Sequence, residues 1–113
     1  MDEKSILLRR YGGFRGLTDE EVQQLAADCD LLELSTGDFL HHAGQHLKFF
    51  FVIVEGRFEH KIQDRRGNVV QRKYLGRGSQ FGGVAAAQVD PVPITVVAVE
   101  PSRVLRLDYD KFL

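Results

Sequence analysis

The most constraining feature of this chain of 113 residues is a series of short apolar segments separated by glycines and other turn residues. Several of these segments alternate between apolar and polar residues, which is the period of a β-strand. Many short strands at regular spacing with glycine turns favour an antiparallel sandwich or barrel. The seven strands predicted in this way cover residues 31–34, 39–42, 49–55, 58–62, 69–74, 94–99 and 103–108.

Two helices are expected before the first strand, over residues 5–11 and from Thr18 onwards. Thr18 and Glu21 have the spacing of a capping box, in which each side chain bonds the other's backbone N–H. An apolar stripe at helical spacing follows, which predicts one buried face. The residues of this stripe are Val22, Leu25, Ala26 and Cys29, and we expect Cys29 to be an apolar filler within the helix.

The stretch 81–98, FGGVAAAQVDPVPITVVA, joins a glycine turn, a run of helix formers, a loop with two prolines and a strand. Gly82 and Gly83 supply the turn. Backbone N–H groups in the first turn of a helix have no intrahelical partner, and the helix dipole favours negative charge there. The pattern therefore predicts a candidate anion site at the start of a short helix.

This stretch resembles the phosphate-binding cassette of cyclic-nucleotide-binding domains, which usually reads FGE, small or aliphatic residues, a loop, then PR, two small residues and T. The resemblance needs no gaps and rests on Phe81, Gly82, Ala85, Pro91, Thr95, Val96 and Ala98. It implies a mainly β fold, an antiparallel β-roll of jelly-roll type (a double-stranded β-helix) with N-terminal helices and a short cassette helix. The N-terminal helical segment would span 1–29 and the roll 30–113.

Two positions depart from the family pattern, and in the family both carry chemistry. Gly83 stands where the resemblance implies a glutamate that bonds the ribose 2′-hydroxyl, and Val92 where it implies an arginine that neutralises the cyclic phosphate. A hydrogen bond to a charged group contributes roughly 1.5–3 kcal/mol, so losing the arginine weakens binding about 10- to 150-fold. We therefore expect a non-enzymatic regulatory or sensor module, part of a larger signalling protein, in which cyclic-nucleotide binding is weak or lost.

The candidate ligand-binding residues are those of the cassette, contributing mainly backbone groups: Gly82, Gly83, Val84, Ala85, Val92, Pro93 and Thr95. Two interpretations are open. The amides could hold a small anion, or the pocket could be filled by Val84, Val92 and Ile94, which is the interpretation that we favour. Arg77 is the possible substitute for the missing arginine, with Arg72 and Arg106 as weaker candidates.

Charge and composition limit the choice of partners. The net charge of −1 gives no overall bias toward nucleic acid or membrane, and we expect no nucleic-acid partner. The longest apolar run, residues 49–54, is far short of the ~20 residues of a membrane helix, so no membrane insertion is expected. One cysteine and no signal peptide are compatible with the cytoplasm. The C-terminal helices that close over the ligand in the family are missing from this sequence, which is expected for a piece of a longer host protein.

Three other functions remain as alternatives. The first is genuine cyclic AMP or cyclic GMP binding through backbone amides and a substitute base such as Arg77. The second is a docking domain whose basic segment 57–77, with seven basic and two acidic residues, meets an acidic partner. The third is a cupin-like metal enzyme, which is disfavoured because His41 and His42 are adjacent on a strand and point to opposite faces. We expect the four histidines to be exposed or hydrogen-bonded, and no cofactor or metal is assigned.

Overall fold

The computed structural model describes residues 2–11, 14–83 and 91–112. In this part of the chain, two helices precede eight strands and a single helical turn follows them. The elements are α1 (Glu3–Arg9), α2 (Asp19–Ala27), β1 (Cys29–Leu34), β2 (Phe39–His41), β3 (Phe49–Glu55), β4 (Phe58–Gln63), β5 (Val69–Leu75), β6 (Gln80–Phe81), β7 (Ile94–Ala98), β8 (Ser102–Asp108) and α3 (Tyr109–Phe112). The predicted cassette helix lies outside the described residues.

The strands form two four-stranded sheets in which every neighbouring pair is antiparallel. The first sheet has the order β1-β8-β3-β6 and the second the order β2-β7-β4-β5. The chain leaves the first sheet after β1, returns to it with β3, and again with β6 and β8. This is the architecture of an antiparallel β-roll, so the fold class predicted from the sequence is confirmed.

The first sheet is buried on both faces. Its outer face packs against α1 and α2 through a cluster that includes Leu8, Val22, Val52 and Leu105. Its inner face packs against the second sheet through a cluster that includes Phe51, Ile53, Phe58 and Val104. Burial on both faces explains why β3 is a continuous apolar run rather than an alternating one.

The N-terminal helices begin at capped residues. The Thr18 side chain accepts from the Glu21 N–H (3.1 Å) and the Glu21 carboxylate accepts from the Thr18 N–H (2.9 Å), so the predicted capping box is confirmed. Asp2 caps α1 by accepting from the Ser5 N–H at 2.7 Å. α1 therefore begins and ends two residues earlier than the expected span of 5–11.

Cys29 is the first residue of β1 and not the last of a helix, which corrects the sequence-based assignment. Its side chain is buried, and burial raises the pKa of its thiol to about 11, as expected for an inert filler.

The strand β6 was not predicted, since two residues are too few for a period to be visible. The seven predicted strands begin and end within one residue of the predicted bounds, except that β1 begins two residues earlier, and β3 matches at both ends.

The turn between β3 and β4 depends on Gly56, whose φ of 98° is rarely adopted by residues with a Cβ. A Cβ atom here would also collide with Ser102, whose hydroxyl accepts from the Arg57 N–H and donates to the Glu100 carbonyl. This glycine therefore lets the β3–β4 turn pack directly on the start of β8.

Candidate functional site

The glycine turn of the cassette directly follows β6. Phe81 pairs with Phe51 of β3, and Gly82 then takes a φ of 93°, which its lack of a Cβ permits. Gly83 is exposed, and apart from its chain neighbours no described atom lies within 4 Å of the position that a Cβ would take. Val84 and Ala85 lie outside the described residues, so the anion site on the amides of residues 82–85 stays a prediction.

Val92 is held in the wall of the roll. Its N–H donates to the Gln45 carbonyl (3.1 Å), and its carbonyl accepts from the Gly44 N–H (2.9 Å). Its side chain is only 1% exposed. The position at which the family pattern has arginine is therefore occupied here by a buried apolar side chain.

Pro93 and Thr95 lead from Val92 into β7. The Pro93 carbonyl accepts from the Gln63 N–H at 2.9 Å, while its ring is exposed. The Thr95 hydroxyl accepts from the Ala43 N–H (3.1 Å) and donates to the Gln63 carboxamide oxygen. Both polar groups thus bond within the protein and tie β7 to the neighbouring segments.

Arg77 lies in the turn between β5 and β6 and is exposed. It lines a surface depression with Leu7, Arg10 and Tyr11, on the side of the first sheet that α1 covers. Its role as a substitute for the missing arginine stays a prediction.

The two weaker basic candidates are each paired with a carboxylate. Arg72 lies 3.3 Å from Glu59. Arg106 lies 2.8 Å from Asp30, and its guanidinium stacks 4.4 Å from the centre of the Phe49 ring.

A cross-strand row on the inner face of the second sheet brings together two histidines and a lysine. His41 of β2 and His60 of β4 both lie directly opposite Val96 of β7, and Lys73 of β5 lies opposite His60. Residues directly opposite in antiparallel strands share a face. Two histidines and one lysine therefore follow one another across the sheet.

The Phe81 ring connects this row to the cassette turn. Its centroid lies 5.7 Å from that of His41 and 5.8 Å from that of His60, the latter nearly edge to face. The Phe81 ring also stacks on the Phe51 ring, with the two centroids 6.4 Å apart. Because Phe81 immediately precedes Gly82, the two imidazoles lie close to the start of the cassette.

His41 and His60 are buried, whereas His42 and His46 are exposed. His41 Nδ1 lies 2.6 Å from the Ile94 carbonyl oxygen, and a carbonyl can only accept, so Nδ1 carries a proton. Among the residues that the structure describes, neither His41 Nε2 nor His60 Nδ1 has a hydrogen-bond partner. The expectation that the histidines are exposed or hydrogen-bonded therefore holds for His41, His42 and His46, whereas His60 is buried and has no described partner at Nδ1.

The charge state of His60 follows from its surroundings. Burial of its ring, and to a lesser extent the positive charge of Lys73, hold the pKa of His60 below its usual value of 6.5. At neutral pH this imidazole is therefore uncharged.

A cavity of about 280 Å³ opens next to His41, between the segment that joins β2 to β3 and the start of β3 itself. Aliphatic and aromatic side chains form most of its wall: Leu40, Leu47, Phe49 and Phe51. Gln45, His46 and Lys48, all exposed, also line it. His41, which also lines the cavity, is polar and buried.

Within residues 2–11, 14–83 and 91–112, no three His, Cys, Asp or Glu side chains are grouped so that they could hold a metal ion. No helix in the same ranges has the length and apolar character needed to span a membrane.

Comparison with known sequences decides the family. The sequence model described as "Cyclic nucleotide-binding domain" matches residues 31–113. The chain belongs to this family. The matched range contains both sheets, except for the first two residues of β1, together with the cassette.

Solved structures of this domain type superpose closely on the chain. A cAMP-independent protein kinase A regulatory subunit from Trypanosoma cruzi, bound to guanosine, has a TM-score of 0.83 at 23% identity, covering 95% of this chain and 38% of that one. A triple mutant of the Trypanosoma brucei subunit, bound to cAMP in the A site, has 0.82 at 22%, covering 94% and 39%. The Toxoplasma gondii protein kinase A regulatory domain with cAMP has 0.85 at 18%, covering 96% and 42%. At these identities the likeness shows the fold, and the chain spans about two fifths of each relative.

Proposed function

We propose that this chain is a non-enzymatic regulatory module of a larger cytoplasmic signalling protein, in which the cyclic-nucleotide-binding domain has weak or no affinity for cyclic nucleotides. The observation that carries the proposal is Val92, an apolar side chain only 1% exposed at the arginine position of the cassette. A valine side chain offers a phosphate neither a positive charge nor a hydrogen bond.

The size of the effect follows from the lost interaction. A hydrogen bond to a charged group contributes roughly 1.5–3 kcal/mol, which corresponds to about 10- to 150-fold in the dissociation constant. A phosphate placed against the buried Val92 would also lose hydrogen bonds to water without gaining others, which further weakens binding. Gly83 supplies no side chain for the ribose hydroxyl, so the second anchor of the family pattern is absent as well.

The structural relatives support a ligand response that differs between members of this fold. The Trypanosoma cruzi regulatory subunit is described as cAMP-independent and bound to guanosine, whereas the Toxoplasma gondii domain is described with cAMP. A cyclic-nucleotide-binding fold is thus found both with and without the cyclic phosphate as ligand. Loss of cyclic-nucleotide binding in the present chain is compatible with retention of a regulatory role.

The test is a calorimetric titration of cyclic AMP and cyclic GMP into the wild type and into the double variant Val92→Arg with Gly83→Glu. We expect no saturable binding by the wild type at tens of micromolar and measurable binding by the double variant. A sub-micromolar dissociation constant for the wild type would overturn the proposal.

The control is Val92→Gln with Gly83→Glu, which adds a long polar side chain without the positive charge. It should gain less binding than the arginine variant, because glutamine brings no positive charge to the phosphate. Thermal unfolding checks that both variants fold, since residue 92 is buried. Gly83→Glu alone, which enters open space, separates the contribution of the glutamate from that of the arginine.

A further inference from the structure

Strand β5 (Val69–Leu75) is the longest of the four strands that lie at the edges of the two sheets. It has seven residues, against six in β1, three in β2 and two in β6. Among the described residues, the backbone of β5 bonds only to β4, so its outer edge presents unpaired N–H and carbonyl groups. A long open edge of this kind is a template for pairing with another chain.

The other three edge strands are less suited to pairing. β2 and β6 are short, and the register of β2 with β7 is irregular. At β1, the Lys4 ammonium of α1 donates to the Cys29 carbonyl at 3.0 Å, so a helix side chain lies over the start of that strand. Short and covered edges are the usual protection against unwanted pairing, and β5 has neither feature.

β5 offers side chains for contact on both of its faces. Leu75 is its buried residue, and the other six are exposed. Lys73 lies opposite the inward-facing His60, and its neighbour Arg72 therefore points to the outer face. The Tyr74 ring, on the same outer face as Arg72, is 49% exposed. A strand placed beside β5 would thus meet a cation on each face and an aromatic ring on one.

The charges along this edge favour an acidic partner. The segment 57–77, which contains β5, has seven basic and two acidic residues. The Glu59 carboxylate lies 3.3 Å from Arg72 and 3.5 Å from Lys61, so one acid is shared by two cations. Two copies of β5 placed edge to edge would bring like charges together, which is destabilising, whereas carboxylates on an added strand would be attracted to Arg72 and Lys73.

We propose that the outer edge of β5 binds an extended acidic segment of a partner protein, which becomes a fifth strand of the second sheet. Backbone hydrogen bonds along the edge provide affinity, and the cations on the two faces of β5 select carboxylate side chains. The strand lies outside the cassette, so this inference goes beyond the proposed function and does not depend on whether the cassette binds a cyclic nucleotide.

The probe is a peptide with blocked ends and the length of β5, seven residues, in which valine and glutamate alternate. The same peptide with lysine in place of glutamate is the control of opposite charge. Titration at about 0.15 M salt is followed by the backbone amide chemical shifts. We expect saturable binding of the glutamate peptide and none of the lysine peptide. Hydrogen exchange should slow at every second amide of residues 69–75, because alternate N–H groups of an edge strand point outward.

The variant Arg72→Gln with Lys73→Gln removes both cations from the strand. It should bind the glutamate peptide about two- to thirtyfold more weakly, the range for two exposed ion pairs. The control Arg65→Gln with Arg66→Gln removes the same charge from the exposed loop of the same hairpin. It should stay within about twofold of the wild type, because salt screens charges that are not in contact. Thermal unfolding checks that both variants fold.

Four results would overturn the inference: no saturable binding of the glutamate peptide, equal binding of the lysine peptide, equal weakening by the two double variants, or binding that leaves hydrogen exchange in β5 unchanged. Slower exchange in β5 on raising the protein concentration without peptide would show that a second copy of the chain occupies the edge, and would also overturn it. Tight binding of cyclic AMP by the same protein would overturn the proposed function and leave the present inference in place.

Discussion

Gly83 and Val92 differ in what their surroundings allow. Gly83 is exposed and has open space where a side chain would be, so a glutamate could be introduced there with little disturbance. Val92 is buried, and replacing it with a longer side chain forces neighbouring groups to move, at a typical cost of 1–3 kcal/mol. An arginine introduced at position 92 is therefore expected to lower the stability of the protein.

His60 carries a pH dependence that can be tested by substitution. Its pKa is lowered in the folded protein relative to the usual 6.5, chiefly by burial and also by Lys73. The unfolded chain therefore binds a proton more readily than the folded protein. The free energy of unfolding has its full value above about pH 6.5 and decreases as the pH falls toward the pKa of His60 in the folded protein. We predict that His60→Leu shows a smaller loss of stability between pH 7 and pH 5 than the wild type.

Urea denaturation at each pH is the measurement. The exposed His42→Leu variant is the control and should keep the wild-type pH dependence. If the free energy of unfolding of His60→Leu changed with pH as it does in the wild type, His60 would not be the source of the pH dependence.

At the scale of elements, the helices combine local start signals with an apolar face. The capping box of Thr18 and Glu21 satisfies two N–H groups at the start of α2, and Val22 and Ala26 of the same helix are fully buried. Helix propensity alone would be insufficient for a nine-residue helix, since isolated helices of that length are marginal in water. The docking of α2 on the first sheet is therefore part of its stability.

We predict that Thr18→Ala lowers the free energy of unfolding by about 1 kcal/mol, because the Glu21 N–H loses its acceptor. Chemical denaturation followed by circular dichroism measures the change. Thr36→Ala, at an exposed turn residue, is the matched control and should stay within about 0.5 kcal/mol of the wild type. Equal effects of the two substitutions would argue against the cap.

At the scale of the whole molecule, the N-terminal helices and the roll share one hydrophobic core. Leu8 of α1 belongs to the same cluster as Val52 and Leu105 of the first sheet. The Tyr11 hydroxyl, which is buried, donates to the Ile53 carbonyl at 2.9 Å. The helical segment and the first sheet should therefore unfold together.

We predict that Leu8→Ala costs about 2–5 kcal/mol in a single unfolding transition, since it leaves a cavity under α1. Ile6→Ala on the same helix, where the side chain is 43% exposed, should cost much less. Calorimetry and the fluorescence of the tyrosines should report the same midpoint. Two separate transitions in the wild type would show that the helices and the roll are independent.

The sequence by itself determined most of the elements and the fold class, for a local reason. Whether residues alternate or recur at helical spacing is decided within a few neighbours, so the bounds of β3 and the cap of α2 could be predicted from the pattern. The glycine turn at Gly82 was also visible, because a positive φ favours that residue.

The register between strands was decided only by the tertiary structure, since register depends on long-range pairing and not on the local period. His41 and His60 are 19 residues apart, and only pairing of both strands with β7 places them on either side of Val96. Burial of Val92 depends in the same way on its pairing with Gln45. The family position of each cassette residue could be predicted from the sequence, whereas the buried histidines and the cavity beside them follow from strands that meet only in the folded protein.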